Sequence, residues 1–113
     1  MKSRTGFVSN SSSTAFMITN LTDEEKNFVK FAKETPDIVK NFREQYDFPA
    51  KEYNQKTLKS SLKKKNLVFK PKERRLVVFG DEDGDVCGQV YDYALRYGVT
   101  SKSFKVEFYE HWR

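Results

Sequence analysis

Ser103-Phe104-Lys105-Val106-Glu107-Phe108-Tyr109 is the stretch that decides the fold. Phe104, Val106 and Phe108 alternate with Lys105, Glu107 and Tyr109, so in an extended chain the apolar side chains share one face. A strand of this kind packs one face on a core and turns the other to water, the habit of antiparallel sheets. Its buried face needs a covering layer, and the rest of the chain offers amphipathic helices to supply one.

Toward the N-terminus, Val86 to Tyr97 reads as a helix. Val86, Val90, Tyr93, Ala94 and Tyr97 fall on one face, and Gly98 stands where a C-terminal glycine cap belongs. Leu67 to Lys70 and Arg75 to Phe79 are β-type runs, and the short Pro71-Lys72-Glu73 link predicts a hairpin between them. Asn54 to Lys65 gives a thinner helix whose apolar stripe is Leu58 and Leu62, stable only if docked. Thr35-Pro36-Asp37 opens another helix, with Thr35 as N-cap and Ile38, Val39, Phe42 and Tyr46 as its stripe. Thr22 followed by Glu25 has the form of a capping box and predicts a helix carrying Phe28, Phe31 and Ala32. Ala15 to Thr19 reads as a short apolar strand. The expected fold is α+β, a small antiparallel or mixed sheet of about four strands covered on one face by three helices. Residues 1–14 form a Ser/Asn-rich N-terminal segment and 15–113 a single α+β domain.

The 113 residues suit one domain, and 16 of its 17 aromatic residues are Phe or Tyr, so an aromatic core is expected. Cys87 is the single cysteine, which excludes a disulfide within this chain and a cysteine-based zinc site. No apolar run approaches the ~20 residues of a membrane span, and no secretory leader is evident. The expected locations are the cytoplasm of an infected bacterial host or a virion, for reasons given with the resemblance below, and no membrane partner is expected.

Catalytic chemistry has little to work with. His111 is the single histidine, a Cys87–His111 pair lacks a third group to orient it, and no Gly-x-Ser-x-Gly elbow is present. A non-enzymatic role is therefore expected.

Gly80-Asp81-Glu82-Asp83-Gly84-Asp85 places carboxylates at alternate positions, as a loop does when it wraps a hard cation. Counted as a calcium loop from Asp81, the ligands would be Asp81, Asp83, Asp85 and Asp92. Val86 replaces the glycine of the sharp turn, and Asp92 reaches less far than the usual glutamate. The plainer reading is a polar turn whose last residue, Asp85, caps the following helix. The expectation is no cofactor, with a divalent cation as the lesser alternative. Val77-Val78-Phe79-Gly80-Asp81-Glu82-Asp83-Gly84 superficially resembles the first motif of haloacid-dehalogenase-like phosphatases. The chain is too short for that fold and lacks its alternating parallel architecture, so the likeness carries no activity.

Charge is the strongest physical signal. The net charge is +5, yet residues 51–75 hold ten Lys or Arg against Glu52 and Glu73, a local net of +8. Lys56, Lys59 and Lys63 recur at helical spacing, and Lys64, Lys65, Lys70, Lys72, Arg74 and Arg75 extend the field. Such a surface attracts an anionic macromolecule, either nucleic acid or an acidic protein surface. Aromatic residues within the segment are sparse (Tyr53 and Phe69), so base stacking is not advertised by it.

The remaining feature is the tract Gly6-Phe7-Val8-Ser9-Asn10-Ser11-Ser12-Ser13-Thr14-Ala15-Phe16. Ser and Asn bond their own backbone and favour turns, and here they lie between the apolar anchors Phe7-Val8 and Phe16-Met17. No Gly-Lys-Ser/Thr sequence follows, so the tract is not a nucleotide P-loop. With Arg4, it resembles the N-terminal Arg-x-Gly-Phe-Val-Ser-Asn-Ser-Ser-Ser-Ser-Ser-Phe signature of small proteins from tailed bacteriophages and some bacteria. Thr14-Ala15 replaces the last two serines. The resemblance implies a phage or prophage setting and a small accessory protein that binds a host or phage macromolecule. A virion or assembly component docking through its N-terminal tract is the alternative. It transfers no catalytic residue. It points to Arg4, Gly6, Phe7, Val8, Ser9, Asn10, Ser11, Ser12, Ser13 and Phe16 as a segment read by a partner.

Overall fold

The computed structural model describes residues 13–80 and 86–112. The fold is α+β, and its order is β1 (Ser13–Asn20), β2 (Lys26–Asn27), α1 (Val29–Glu34), α2 (Asp37–Tyr46), α3 (Gln55–Lys65), β3 (Val68–Phe69), β4 (Arg74–Gly80), α4 (Val86–Ala94), β5 (Val99–Thr100) and β6 (Phe104–Trp112). Four strands form one sheet in the order β4-β1-β6-β5, and every pairing in it is antiparallel. The first strand lies inside the sheet, between the two long strands β4 and β6. Four helices stand among the described residues, where the sequence pattern predicts three for the covering layer.

Side-chain alternation shows that one face is covered. On β4, Val77 and Phe79 are buried, while Leu76 and Val78 are 44% and 42% exposed. Across β1, Phe16 and Ile18 point to the covered side, with Phe16 opposite Val77 and Ile18 opposite Val106. The open face pairs Met17 with Leu76 and with Glu107, and there Glu107 meets Arg74 at 4.0 Å and Lys105 at 3.7 Å. The core beneath the helices is aromatic. Phe28 stacks on Phe31 at 4.7 Å and meets Phe104 edge-on at 5.0 Å, and Tyr91 meets Phe79 edge-on at 5.2 Å. Each fully buried ring contributes roughly 1.5–3 kcal/mol through the area it removes from water.

Several local expectations change. Thr22 and Glu25 do not open a helix. The N–H and hydroxyl of Thr22 both donate to Asn20 Oδ1, at 2.9 and 2.8 Å, and Glu24 N–H donates to Thr22 Oγ1, at 3.3 Å. These short-range bonds stabilise a turn in place of the first helical turn. The chain then forms β2, and the helix starts only at Val29, whose N–H donates to Asn27 Oδ1 at 3.0 Å. Asn20 is buried and its Nδ2 donates to the carbonyls of Glu24 and Lys70, tying this turn to the β3–β4 link.

Thr35 does not cap α2. Its hydroxyl donates to the Phe31 carbonyl at 2.7 Å and closes α1 instead. The expected hairpin of residues 67–70 with 75–79 does not form either. Pro71 and Lys72 make a turn, with Lys72 left-handed at φ 61° and Glu73 N–H reaching Lys70 O at 3.0 Å. The strands on either side part company: β3 pairs with β2 in a separate two-stranded sheet, and β4 pairs with β1. A seven-residue apolar partner in β1 offers β4 a longer ladder than the two-residue β3 does.

On α4 the buried face is Cys87, Val90, Tyr91 and Leu95, rotated from the expected stripe, and Tyr97 is 100% exposed in the turn after the helix. Gly98 does cap it, with φ +83° and its N–H on Leu95 O at 2.9 Å. On β6 the predicted alternation holds at Phe104 and Val106 but not at Phe108, which is 46% exposed. A register shift between Ala15 and Phe16 pairs them with Glu110 and Phe108, leaving Tyr109 as the extra residue of a bulge.

Candidate binding faces

Helix α3 carries the basic stripe, and its ends help explain how a helix with only two apolar residues is held there. Asn54 accepts the Thr57 N–H at 3.0 Å, while Thr57 Oγ1 accepts the Asn54 N–H at 3.0 Å, a reciprocal capping box. Asn66 ends the helix in a left-handed conformation with φ 53°. Lys63, Lys64 and Lys65 occupy the last turn, where the helix dipole favours cations. Leu58 and Leu62 are fully buried, so two leucines suffice once docked. Ser61 beside them accepts the N–H of Cys87 at 3.2 Å, joining α3 to the first turn of α4.

The nine cations of the basic segment separate into two groups. At 100° per residue, Lys56 and Lys63 lie on the side of α3 away from Leu58 and Leu62, and Lys59 flanks the leucines. Lys56, Lys63 and Lys64 are exposed, Lys59 is half-buried, and none of the four forms an ion pair among the described residues. Of the four cations after β3, Lys72, Arg74 and Arg75 are engaged, while Lys70 forms no ion pair among the described residues. Lys72 donates to the Leu21 carbonyl at 2.8 Å and lies 3.7 Å from Asp23. Arg74 faces Glu107, and Arg75 lies 3.5 Å from Glu73 with its guanidinium 4.2 Å above the Phe69 ring. Lys70 is exposed, and its backbone N–H is taken by Glu73 Oε1 at 2.7 Å. The candidate face therefore contracts to α3.

Next to it lies an aromatic surface that the linear sequence conceals. Phe42 and Tyr46 of α2, Phe48 and Tyr53 of the following loop, and Tyr93 of α4 form a chain of ring contacts from 4.7 to 6.3 Å. Tyr53 directly precedes the Asn54 cap of α3, and its hydroxyl bonds Gln89 of α4. Arg43 Nη1 donates to the Tyr53 carbonyl at 2.9 Å. Between α2 and α4 opens a cleft of about 190 Å³ lined by Phe42, Tyr46, Tyr93 and Tyr97, with Gln45 and Arg96 as its polar components. Arg96 lies over the Tyr93 ring at 4.6 Å. Tyr46, expected as part of a buried stripe, is 45% exposed at this cleft.

A buried polar cluster stands at the end of the serine tract. Ser13 and Thr14 belong to β1, and Thr14 is in phase with Phe16 and Ile18 on the covered face. Its hydroxyl lies 2.6 Å from Asp92 Oδ1 and 2.8 Å from His111 Nδ1. Arg96 completes the cluster, with Nη2 3.3 Å from Asp92 Oδ1 and Nε on the Asp92 carbonyl at 2.8 Å. The hydroxyl has one proton. As a carboxylate Asp92 only accepts, so that proton goes to Asp92 and the His111 nitrogen facing Thr14 is the donor. This polarity is opposite to that of a histidine base activating a nucleophile. Thr14 is also fully buried, so the arrangement ties strands to helix and does not present a reactive oxygen. His111 of β6 is the strand partner of Thr14 on β1. The period-two phase of Thr14 with Phe16 is visible in sequence. The phase of His111 is not, because the bulge at Tyr109 shifts it.

Phe16 is fully buried 6.1 Å from Phe79, an anchor as its sequence position implies. Arg4, Gly6, Phe7, Val8, Ser9, Asn10, Ser11 and Ser12 lie outside the described residues, as do Asp81, Asp83 and Asp85 of the acidic loop. The fourth candidate ligand, Asp92, is the carboxylate held by Thr14 and Arg96, and no group of three or more His, Cys, Asp or Glu suited to a metal occurs among the described residues. No described helix is long and apolar enough to cross a membrane.

A second polar group fixes the other end of the sheet. Glu34, the last residue of α1, accepts from Ser101 Oγ at 2.7 Å, Ser103 N–H at 2.8 Å and Ser103 Oγ at 2.6 Å. Partial burial pushes its carboxyl up, but the hydrogen bonds from Ser103 and Ser101, with Lys30 nearby, outweigh this and hold it below the ordinary value of 4.5. Comparison of the chain with protein-family models, with curated proteins and with solved structures gives no match.

Proposed function

We propose that this chain is a non-enzymatic accessory protein, of the phage-associated kind its first residues resemble, and that it binds an anionic macromolecule through α3. One observation carries the reading: Lys56 and Lys63 on the outer side of α3, with Lys59 at its flank, form no ion pair among the described residues. A solvated face that served solubility alone would be expected to mix both signs, as the open sheet face does with Arg74, Glu107 and Lys105. Lysines in a row, held by a capped helix, act as point charges for phosphates or carboxylates.

The test is affinity for a polyanion as a function of salt. The wild-type chain should bind heparin or an oligonucleotide with a steep inverse dependence on salt. The triple variant Lys56→Gln, Lys59→Gln, Lys63→Gln should bind more weakly, with a slope flatter by about 2 for a nucleic acid, since each lost phosphate contact removes roughly 0.7–0.9. An unchanged affinity and slope in a folded triple variant would remove α3 as the binding face.

A further inference from the structure

We infer that the anionic partner is a single-stranded nucleic acid, whose bases stack in the tyrosine cleft between α2 and α4 while its phosphates follow the lysines of α3. This rests on the α3 reading and sharpens it.

The two features a single-strand binder combines are a cationic track for the backbone and aromatic faces for the bases. Both are present here on adjoining elements. Tyr53 abuts the capped N-terminus of α3 and packs on Phe48, and the buried Phe42 beneath them connects both to Tyr46 and Tyr93 at the cleft. Lys56 follows in the first turn, and Lys56 to Lys63 spans about 10 Å along the helix axis at 1.5 Å per residue. A chain lying along the lysines therefore reaches the aromatic surface at one end of α3.

The cleft is lined by rings together with polar groups. Its volume is about 190 Å³, and Tyr46 and Tyr97 stand at it with 45% and 100% of their surface in water. Exposed tyrosines at such a density are unusual on a face that only meets solvent. Gln45 offers an amide donor and acceptor beside the rings. Arg96 lies over the Tyr93 ring at 4.6 Å and is bonded to Asp92, which fixes a cation at the cleft.

Charge separates the two tasks. Residues 40–56 around the aromatic cluster hold Lys40, Arg43, Lys51 and Lys56 against Glu44, Asp47 and Glu52, close to balance. The cleft therefore supplies stacking and α3 supplies the electrostatic attraction. A duplex hides its bases and could use the lysines alone.

The test titrates the full chain with fluorescently labelled oligo(dT), oligo(U), a mixed-sequence duplex of equal length, and poly-glutamate. Three forms are compared: wild type, Tyr46→Ala with Tyr97→Ala, and the triple lysine variant. Tyr97 is fully exposed, so Tyr97→Ala alone serves as a second variant if the double variant melts early. The wild type should bind one or both single strands more tightly than the duplex. The tyrosine variant should lose about tenfold or more in single-strand affinity, with its salt slope and duplex binding unchanged. Equal loss for duplex and single strand, or no loss for either, overturns the stacking inference while leaving the α3 face in place. Binding of poly-glutamate in preference to the oligonucleotides also overturns it. No binding of any polyanion by the wild type removes the α3 reading, and the inference falls with it.

Discussion

The Thr14 hydroxyl lies 2.6 Å from the buried Asp92 carboxylate, although 78 residues separate the two in sequence. The contact joins the end of the serine tract to α4, and His111 reaches the same hydroxyl from β6. Removing the hydroxyl without changing the shape of the side chain isolates its contribution. Thr14→Val leaves Asp92 and His111 each short of a partner in a water-poor site, and should destabilise the protein by about 1–3 kcal/mol. Thr14→Ser retains the bond and should recover most of the loss. Denaturant midpoints of the two variants check this, and equal midpoints for Val and wild type would show that the hydroxyl does not contribute.

Glu34 predicts an acid limb in the stability profile. Its carboxyl is held below 4.5 in the folded protein by Ser103 and Ser101, despite the opposing effect of burial. A depressed carboxylate value means that the unfolded chain binds the proton first as pH falls. The stabilisation is therefore complete above the ordinary value and lost as pH drops through the folded one. Glu34→Gln should lower the melting temperature at neutral pH, and the gap to wild type should narrow progressively below about pH 4.5. A gap that stays constant from pH 7 to pH 3 would mean the serines recognise shape and not charge.

Tyr91 predicts a gain. Its ring is central to the core, yet its hydroxyl is buried without a hydrogen-bond partner among the described residues. Burial, with the Cys87 thiol as a lesser cause, pushes the phenol well above its ordinary range, so it stays neutral at any working pH. Tyr91→Phe keeps the edge-on contacts with Phe28, Phe31 and Phe79 and removes an unsatisfied polar atom. The variant should be more stable by about 1 kcal/mol, read as a higher denaturant midpoint with an unchanged m-value. A loss of stability would show that the hydroxyl is satisfied in solution.

The two halves of the basic segment should respond differently to neutralisation. Lys72, Arg74 and Arg75 already face Asp23, Glu107 and Glu73, so removing them weakens a polyanion less than removing Lys56, Lys59 and Lys63. The ion pairs concerned are on the surface, and Lys72→Gln or Arg74→Gln should change stability by no more than about 1 kcal/mol. Side-by-side salt titrations of the two triple variants check the ranking, and equal losses would return the binding face to the whole segment.

Much of the architecture was legible in the chain because it follows from local periodicity. The alternation at Phe104 and Val106 announced a half-buried strand, the spacing of Phe28, Phe31 and Ala32 a buried helical turn, and Gly98 the end of α4. These signals need only the pleat of a strand and the pitch of a helix. Leu58 and Leu62 were visible as a thin stripe, and the Asn54–Thr57 box that starts their helix was readable in principle from residue types alone.

What failed did so where a competing partner, local or distant, displaced the expected one. Thr22 and Glu25 had the right spacing for a cap, but Asn20 took the threonine bonds for a turn. Leu67 to Lys70 and Arg75 to Phe79 were adjacent β-type runs, yet β1 offered β4 the longer ladder. The lysine stripe was evident from sequence, and its division into engaged and available cations was not, since Asp23 and Glu107 are distant in sequence. The sequence by itself determined an α+β chain with an aromatic core and a basic helix, because composition and periodicity act over a few residues. The tertiary structure alone decided that Tyr46, Tyr93 and Tyr97 line one cleft between α2 and α4, and that Thr14, Asp92 and His111 meet. Contacts between distant segments depend on strand order, a bulge and helix rotation, which no short window of residues encodes.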